Sequence, residues 1–335
     1  MPLFDKQVSA SQENPEKAAI LTTLLITQSN GAEHLTPPGH PERPQRLAAL
    51  SEAFAAPQFS SLRRRDAKPA DLALAAHVHS PEMLSALAGA QPKAGIGRIE
   101  SDTFLSPHSL DVAATALGGA LMALDGVMQG KADNAFCAIR PPGHHAERDR
   151  SMGFCLVNTI AIAAEQARRK HGIERIAIVD FDVHHGNGTQ DIFWDDRNTF
   201  YASSHQAPLY PGTGDADETG AGNIFNAPLA PYSAGGEMRE AYREYLLPAL
   251  RAFRPELLLI SAGFDADARD PLAQLGWIPD DFAWLTGKLL DEASRSADNR
   301  VVSLLEGGYD LAGLAEGASA HLGMLMTGSA AEAAE

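Results

Sequence analysis

The run Asp180-Phe181-Asp182-Val183-His184-His185 puts two carboxylates and two imidazoles into six consecutive residues. Along an extended strand, side chains two residues apart share one face. Asp180, Asp182 and His184 would then point the same way, and a carboxylate and an imidazole so spaced can grip one divalent cation. Gly186 and Gly188 follow and would let the backbone turn sharply into a helix. One Asp or His in such a place usually caps a turn or faces solvent. Four at a buried strand end are costly unless charge is balanced there, so a metal is expected. A third ligand must come from another strand end. Asp265, Asp267 and Asp270, in the stretch after Leu257–Ala262, are candidates, and spacing alone does not choose among them.

Two further groups could supply proton transfer. His144 and His145 follow Arg140-Pro141-Pro142-Gly143. Adjacent imidazoles in a proline-stiffened loop can accept and donate protons, worth ~10² to ~10⁴-fold in rate. Taken alone they would read as solvent histidines. Tyr309 follows Glu306-Gly307-Gly308, and its hydroxyl could donate to an oxyanion, worth ~3 to 4 kcal/mol. Taken alone it would be a core tyrosine. Three protein ligands and an open position describe a catalytic metal rather than a structural one. Metal-assisted amide hydrolysis suits such an assembly.

The elements that must hold these residues alternate. Strands are expected at Ile20–Thr27, Ala135–Ile139, Arg175–Asp182, Thr199–Ser203, Leu257–Ala262 and Val301–Glu306. Helices are expected at Pro44–Ala56, Pro81–Gly89, Ser109–Val127, Asn158–His171, Met238–Phe253, Asp280–Ser294 and Ala312–Met326. Ile176-Ala177-Ile178-Val179 and Leu257-Leu258-Leu259-Ile260 are apolar on both faces, as in strands covered by helices on both sides. The pattern predicts a single-domain three-layer α/β/α fold around a mostly parallel sheet, spanning residues 19–328. Residues 1–18 are expected to be a loose leader and 329–335 a loose tail. In such sheets ligands lie beyond the carboxyl ends of the strands, where these clusters fall.

The bulk composition excludes several classes. The net charge is −16, from 27 Lys+Arg and 43 Asp+Glu, and basic runs such as Arg63-Arg64-Arg65 are no longer than three residues. A surface that tracks phosphates is not expected, so neither is direct nucleic-acid binding. Cys137 and Cys155 both lie in apolar stretches, which argues for reduced, buried thiols rather than a disulfide or a Cys-rich zinc module. No stretch approaches eighteen consecutive apolar residues and no secretion signal is evident, so a cytoplasmic location without membrane insertion is expected.

With these residues assembled, the chain resembles the histone deacetylase family, especially its class II-like and bacterial members. The resemblance runs from about Leu21 to about Met326. It rests on Gly39-His40-Pro41-Glu42-Arg43-Pro44, Ser101-Asp102-Thr103-Phe104-Leu105-Ser106-Pro107 and the Pro-Gly-His-His, Asp-Phe-Asp-Val-His-His-Gly-Asn-Gly-Thr-Gln, Gly-Phe-Asp-Ala and Glu-Gly-Gly-Tyr blocks. It implies one zinc ion on Asp182, His184 and Asp270. It implies proton transfer by His144 and His145, with Tyr309 polarising the acyl carbonyl. Asp180 would support His144, and Asn187 would partner His145, where some relatives carry aspartate. His185 would be structural. Gly153, Phe154, Tyr210, Leu275 and Asp102 would line the acyl-lysine channel, Tyr210 standing where many relatives have phenylalanine. A potassium ion would lie near Asp180, Asp182, His184, Ser203 and Ser204, and Arg46 would lie under the pocket.

The resemblance implies a protein or peptide acyl-lysine deacylase. A small acylated amine, as in acetylpolyamine amidohydrolases, is the alternative. Those relatives carry an acidic gate, which Leu275 does not supply. A dinuclear ureohydrolase would want a carboxylate where Gly186 stands, and a catalytically dead reader would lack a ligand or Tyr309. The oligomeric state is not readable.

Overall fold

Continuous aliphatic runs make the centre of a parallel sheet. The computed structural model describes residues 21–328. The expected leader and tail, and Ile20 of the first expected strand, lie outside the described residues. In chain order the strands are β1 (Thr23–Thr27), β2 (Arg63–Asp66), β3 (Gly97–Arg98), β4 (Phe104–Leu105), β5 (Asn134–Cys137), β6 (Ile176–Asp180), β7 (Thr199–Gln206), β8 (Ile224–Leu229), β9 (Leu257–Ala262) and β10 (Val301–Leu305). Eight of them form one parallel sheet ordered β2-β1-β5-β10-β9-β6-β7-β8, and β3 pairs with β4 in a small antiparallel ribbon.

The helices are α1 (Gln45–Ala53), α2 (Pro81–Ala90), α3 (Ser109–Met128), α4 (Thr159–His171), α5 (Asn187–Ile192), α6 (Gly235–Ala241), α7 (Leu247–Phe253), α8 (Pro279–Ser296) and α9 (Leu311–Thr327). Strand side chains alternate between two apolar layers. Ala177, Val179, Leu258 and Ile260 pack with α1, α6, α7, α8 and α9. Ile176, Ile178, Leu257 and Leu259 pack with α3 and α4. Helix α3 is long and apolar enough to cross a membrane by length and composition alone, but most of it is buried inside this second layer.

All six expected strands and all seven expected helices are present with shifted ends. The expected helix Met238–Phe253 starts at Gly235 and passes through a π-helical turn at Tyr242–Leu246. Pro248 lacks the N–H that would continue regular bonding there. Strands β2 and β8 were not expected. Both are sheet edges: β2 is a charged run without an apolar pattern, and β8 contains Pro228, each a feature that edges tolerate. Cys137 and Cys155 are free and buried, as expected.

The register brings the carboxyl ends of the central strands to one level. Asp180 of β6 pairs with Ser203 of β7 and Ser261 of β9, while Ala262 of β9 pairs with Leu305 of β10. The loops beyond β5, β6, β9 and β10 therefore meet above one stretch of sheet.

Candidate active site

Strand β6 stops at Asp180, so Asp182 and His184 share a face for a different reason from strand alternation. The Asp180 carboxylate accepts the N–H of Asp182 at 3.1 Å, and the Asp182 carboxylate accepts the N–H of His184 at 2.9 Å. Two successive side-chain-to-backbone turns thus carry the chain onward. They bring His184 Nδ1 to 3.1 Å from both Asp182 Oδ1 and Asp265 Oδ2. One ligand atom from each of Asp182, His184 and Asp265 lies within 4.8 Å of the others, and all three residues are buried. Two glycines make room. A Cβ on Gly263 would meet Asp182 Oδ2 at 2.1 Å, and one on Gly307 would meet Asp265 Oδ2 at 2.1 Å.

Asp270, expected as the third ligand, is not in this cluster. Its carboxylate accepts the backbone N–H groups of Leu272, Tyr309 and Asp310 at 3.0, 2.7 and 3.2 Å. Those bonds tie Asp270 to the loop that carries Tyr309, and its Oδ1, with one such bond, keeps a lone pair for a metal beside the cluster; Asp265 also accepts the Val183 N–H at 3.0 Å. Asp267 pairs with Arg269. Two carboxylates and one imidazole fit a divalent cation. They also need one, because Asp180 and Glu306 are buried beside them with histidines as the near cationic groups.

His144 and His145 stand side by side, ring centroids 4.0 Å apart, in different surroundings. His144 Nδ1 bonds Asp180 Oδ2 at 2.9 Å, and its Nε2 lies 3.9 Å from Asp182 Oδ2. Burial lowers its basicity, but the charges of Asp180, Asp182 and Glu306 outweigh burial and hold its pKa at about 10. His145 Nδ1 lies 2.8 Å from Asn187 Oδ1. The Asn187 amide nitrogen donates to Glu147 at 2.6 Å, which fixes the amide so that its oxygen accepts the His145 Nδ1–H. Burial and the nearby charges of His144 and His184 push the His145 pKa well below its ordinary value. Tyr201, which sequence reasoning passed over, donates to Asp180 at 3.2 Å and to the Gly186 carbonyl at 3.1 Å. Its place in an apolar strand gave no sign of this.

Tyr309 faces the same crevice, its ring 5.7 Å from that of Phe154. Beneath it the buried Arg46 places its guanidinium 5.1 Å from the Tyr309 ring centroid. Arg46 donates to the Gly308 carbonyl at 2.7 Å and to the Glu306 carbonyl. His185 bonds Thr213 and Gln190, and burial with the adjacent His205 keeps its pKa at about 3.

Of the expected channel residues, Asp102, Gly153, Phe154 and Tyr210 form a mouth. Tyr210 lies 5.2 Å from the His145 ring and 6.3 Å from the His184 ring. Phe154 has a φ of 67° and packs on His40 at 4.7 Å. Its strained backbone is held by Thr103, which accepts its N–H at 3.0 Å, and by Asp102, which accepts the Gly153 N–H at 3.1 Å. Burial and the nearby Asp102 charge raise the pKa of the Tyr210 hydroxyl. Leu275, expected near the rim, is buried and packs with the larger apolar core. Of the expected potassium group, Ser203 bonds His205 at 2.9 Å and Ser204 bonds Tyr242 at 3.0 Å. As neighbours on β7 they point to opposite faces of the sheet.

A model of the histone deacetylase domain matches residues 40–325, and the chain belongs to the histone deacetylase family. A histone deacetylase-like amidohydrolase of Pseudomonas aeruginosa is 39% identical over 280 residues, covering 81% of this chain and 73% of the relative. A probable deacetylase of Methanothermobacter thermautotrophicus is 41% identical over 287 residues, 81% of each chain. Among solved structures, the HD domain of HDA15 matches with a TM-score of 0.86 at 32% identity, over 92% of this chain and 89% of that one. The expected α/β/α deacetylase fold is thus the fold of this chain, and amide hydrolysis of the deacetylase type is its activity.

Proposed function

We propose that this protein hydrolyses the side-chain amide of N6-acyl-lysine in proteins or peptides, with one zinc ion held by Asp182, His184 and Asp270 and with Asp265 beside His184. The observation that carries this reading is the buried Asp182–His184–Asp265 group, adjoining Asp270 and two histidines with opposite basicity. A zinc ion on Asp182, His184 and Asp270 would acidify water and polarise the acyl carbonyl as a Lewis acid.

The chain's own groups divide the remaining work. His145, its Nδ1–H given to Asn187 and its Nε2 unprotonated, is the base that takes the proton from water at Nε2 and passes it on to the departing amine. His144, kept cationic by Asp180, donates from its Nε2–H to the charge that develops beside it. The Tyr309 hydroxyl donates to the developing oxyanion. Phe154 and Tyr210 flank the acyl-lysine stem, and Asp102 accepts the Gly153 N–H at the mouth. A potassium ion near Asp180 and Ser203, with only a backbone oxygen available from Ser204, belongs to the same reading.

A panel of acyl-lysine peptides, assayed with and without chelator, tests this function. Chelator-sensitive hydrolysis of at least one member is expected, and none from any member would end the proposal. The burial of Leu275 removes it as a witness on the rim, so acetylspermidine belongs in the panel. A clear preference for it would transfer the function to acylated polyamines.

A further inference from the structure

The chemistry of the site leaves one buried acid without a task. Glu306 ends the run from β10, three residues before Tyr309, and is 2% exposed. One oxygen, Oε2, accepts two consecutive backbone N–H groups, Gly143 at 2.6 Å and His144 at 3.2 Å. The other, Oε1, accepts the Ser261 hydroxyl at 3.3 Å, at the end of β9. Its own backbone is anchored as well: its N–H donates to the Ala262 carbonyl at 2.9 Å, and its carbonyl accepts from Arg46. The next residue, Gly307, donates its N–H to Asp182 Oδ2 at 2.7 Å.

We infer that Glu306 is a positioning residue for the reaction proposed above, on which this inference rests: it clamps the backbone of His144 at a fixed height over the metal-ligand cluster. Asp180 orients the His144 ring from one end, and Glu306 holds its main chain from the other. The loop bearing His144 and the loop bearing Tyr309 thereby move as one piece. A displacement of about 1 Å at such a group is worth ~10²-fold in rate. What the clamp needs is reach and an acceptor oxygen rather than negative charge.

Two substitutions separate those requirements. Glu306→Gln keeps the reach: its carbonyl can accept the same two N–H groups while its amide nitrogen faces Ser261. Glu306→Asp keeps the charge but withdraws it by one methylene. The Asp enzyme should lose ~10²-fold in kcat with KM within about 3-fold of wild type, and the Gln enzyme should stay within about 10-fold in kcat. Hydrogen exchange of the Gly143 and His144 amides, measured on metal-free protein, should quicken in Asp and stay slow in Gln. A Gln enzyme as impaired as Asp, or an Asp enzyme with wild-type kcat and slow exchange, overturns the inference. Failure of wild type to hydrolyse any panel member would instead refute the proposed function, and the exchange measurement would still decide whether the clamp exists.

Discussion

The Nδ1–H of His145 is accepted by Asn187 at 2.8 Å, and Asn187 is itself held by Glu147 at 2.6 Å. A neutral amide therefore stands where a carboxylate would make the imidazole more basic. Asn187→Asp, combined with Glu147→Gln to avoid opposing two carboxylates, should raise the His145 pKa by about one unit or more. The limb of the pH–rate profile that reports His145 should move to higher pH. An unmoved profile would remove His145 from the proton-transfer step.

The two aspartates that compete for the metal can be told apart by substitution. Asp270→Asn should weaken zinc binding by more than the ~10- to 100-fold that a partner hydrogen-bonded to a ligand is worth, and cost ~1 to 3 kcal/mol of stability because it weakens three backbone hydrogen bonds. Asp265→Asn, which alters the carboxylate beside His184, should weaken zinc binding by no more than that ~10- to 100-fold. Metal analysis and denaturant unfolding of both variants make the test. Zinc lost from Asp265→Asn and kept by Asp270→Asn would reverse the assignment.

Metal binding should also release protons. Without metal, burial opposes charge on His184, but its bonds to Asp182 and Asp265 hold its pKa at about 10, while burial and the Asp182 charge raise Asp265 to about 7. Zinc must displace those protons, so affinity should climb with pH by about one decade per unit between pH 7 and pH 10, and more steeply below. Calorimetry in buffers of different ionisation enthalpy reads the proton count directly. A pH-independent affinity would contradict the cluster.

Tyr309→Phe removes the hydroxyl and keeps the ring packing against Phe154 and Arg46. Loss of ~10²- to 10³-fold in kcat with little change in KM is expected if the hydroxyl meets the oxyanion. Steady-state kinetics on an acyl-lysine peptide decide it, and an unchanged kcat would leave Tyr309 as a wall residue.

Acid should unfold this protein partly through His321. Burial holds its pKa at about 3 among Phe136, Phe181 and Phe264, where it bonds Thr286 and Ser303. The unfolded chain takes up that proton near the ordinary value of about 6.5. Its contribution is therefore complete above about pH 6.5 and lost as pH falls toward 3, at up to ~1.4 kcal/mol per pH unit. His321→Gln should be less stable at neutral pH and show a shallower acid slope in urea titrations.

The sheet was legible where both of its faces are covered, because strands such as β6 and β9 are apolar at nearly every position. Its edges were not. The charges of β2 and the proline of β8 are what edges tolerate, and they carry no strand pattern. In the site, residues joined by short-range turns, Asp180, Asp182 and His184, could be read locally. Spacing did not divide Asp265, Asp267 and Asp270 because their partners, such as the N–H groups some forty residues away that Asp270 accepts, are set by the fold. The burial of Leu275 was not legible because the irregular chain around it has no periodicity to say which side faces in. Glu147 and Glu306 act through contacts that no local pattern encodes.

The mouth and the floor of the site hang on separate supports. Asp102 and Thr103 hold Gly153 and Phe154, with Tyr210 near Asp102, while the metal-ligand cluster and the histidine pair are braced from the sheet by Asp180, Glu306 and the glycines between them. Replacing the mouth would leave the floor standing. A lineage built on this scaffold can therefore change what it admits without re-evolving how it cuts, and the entrance loops are the natural targets for redesigning its substrate range.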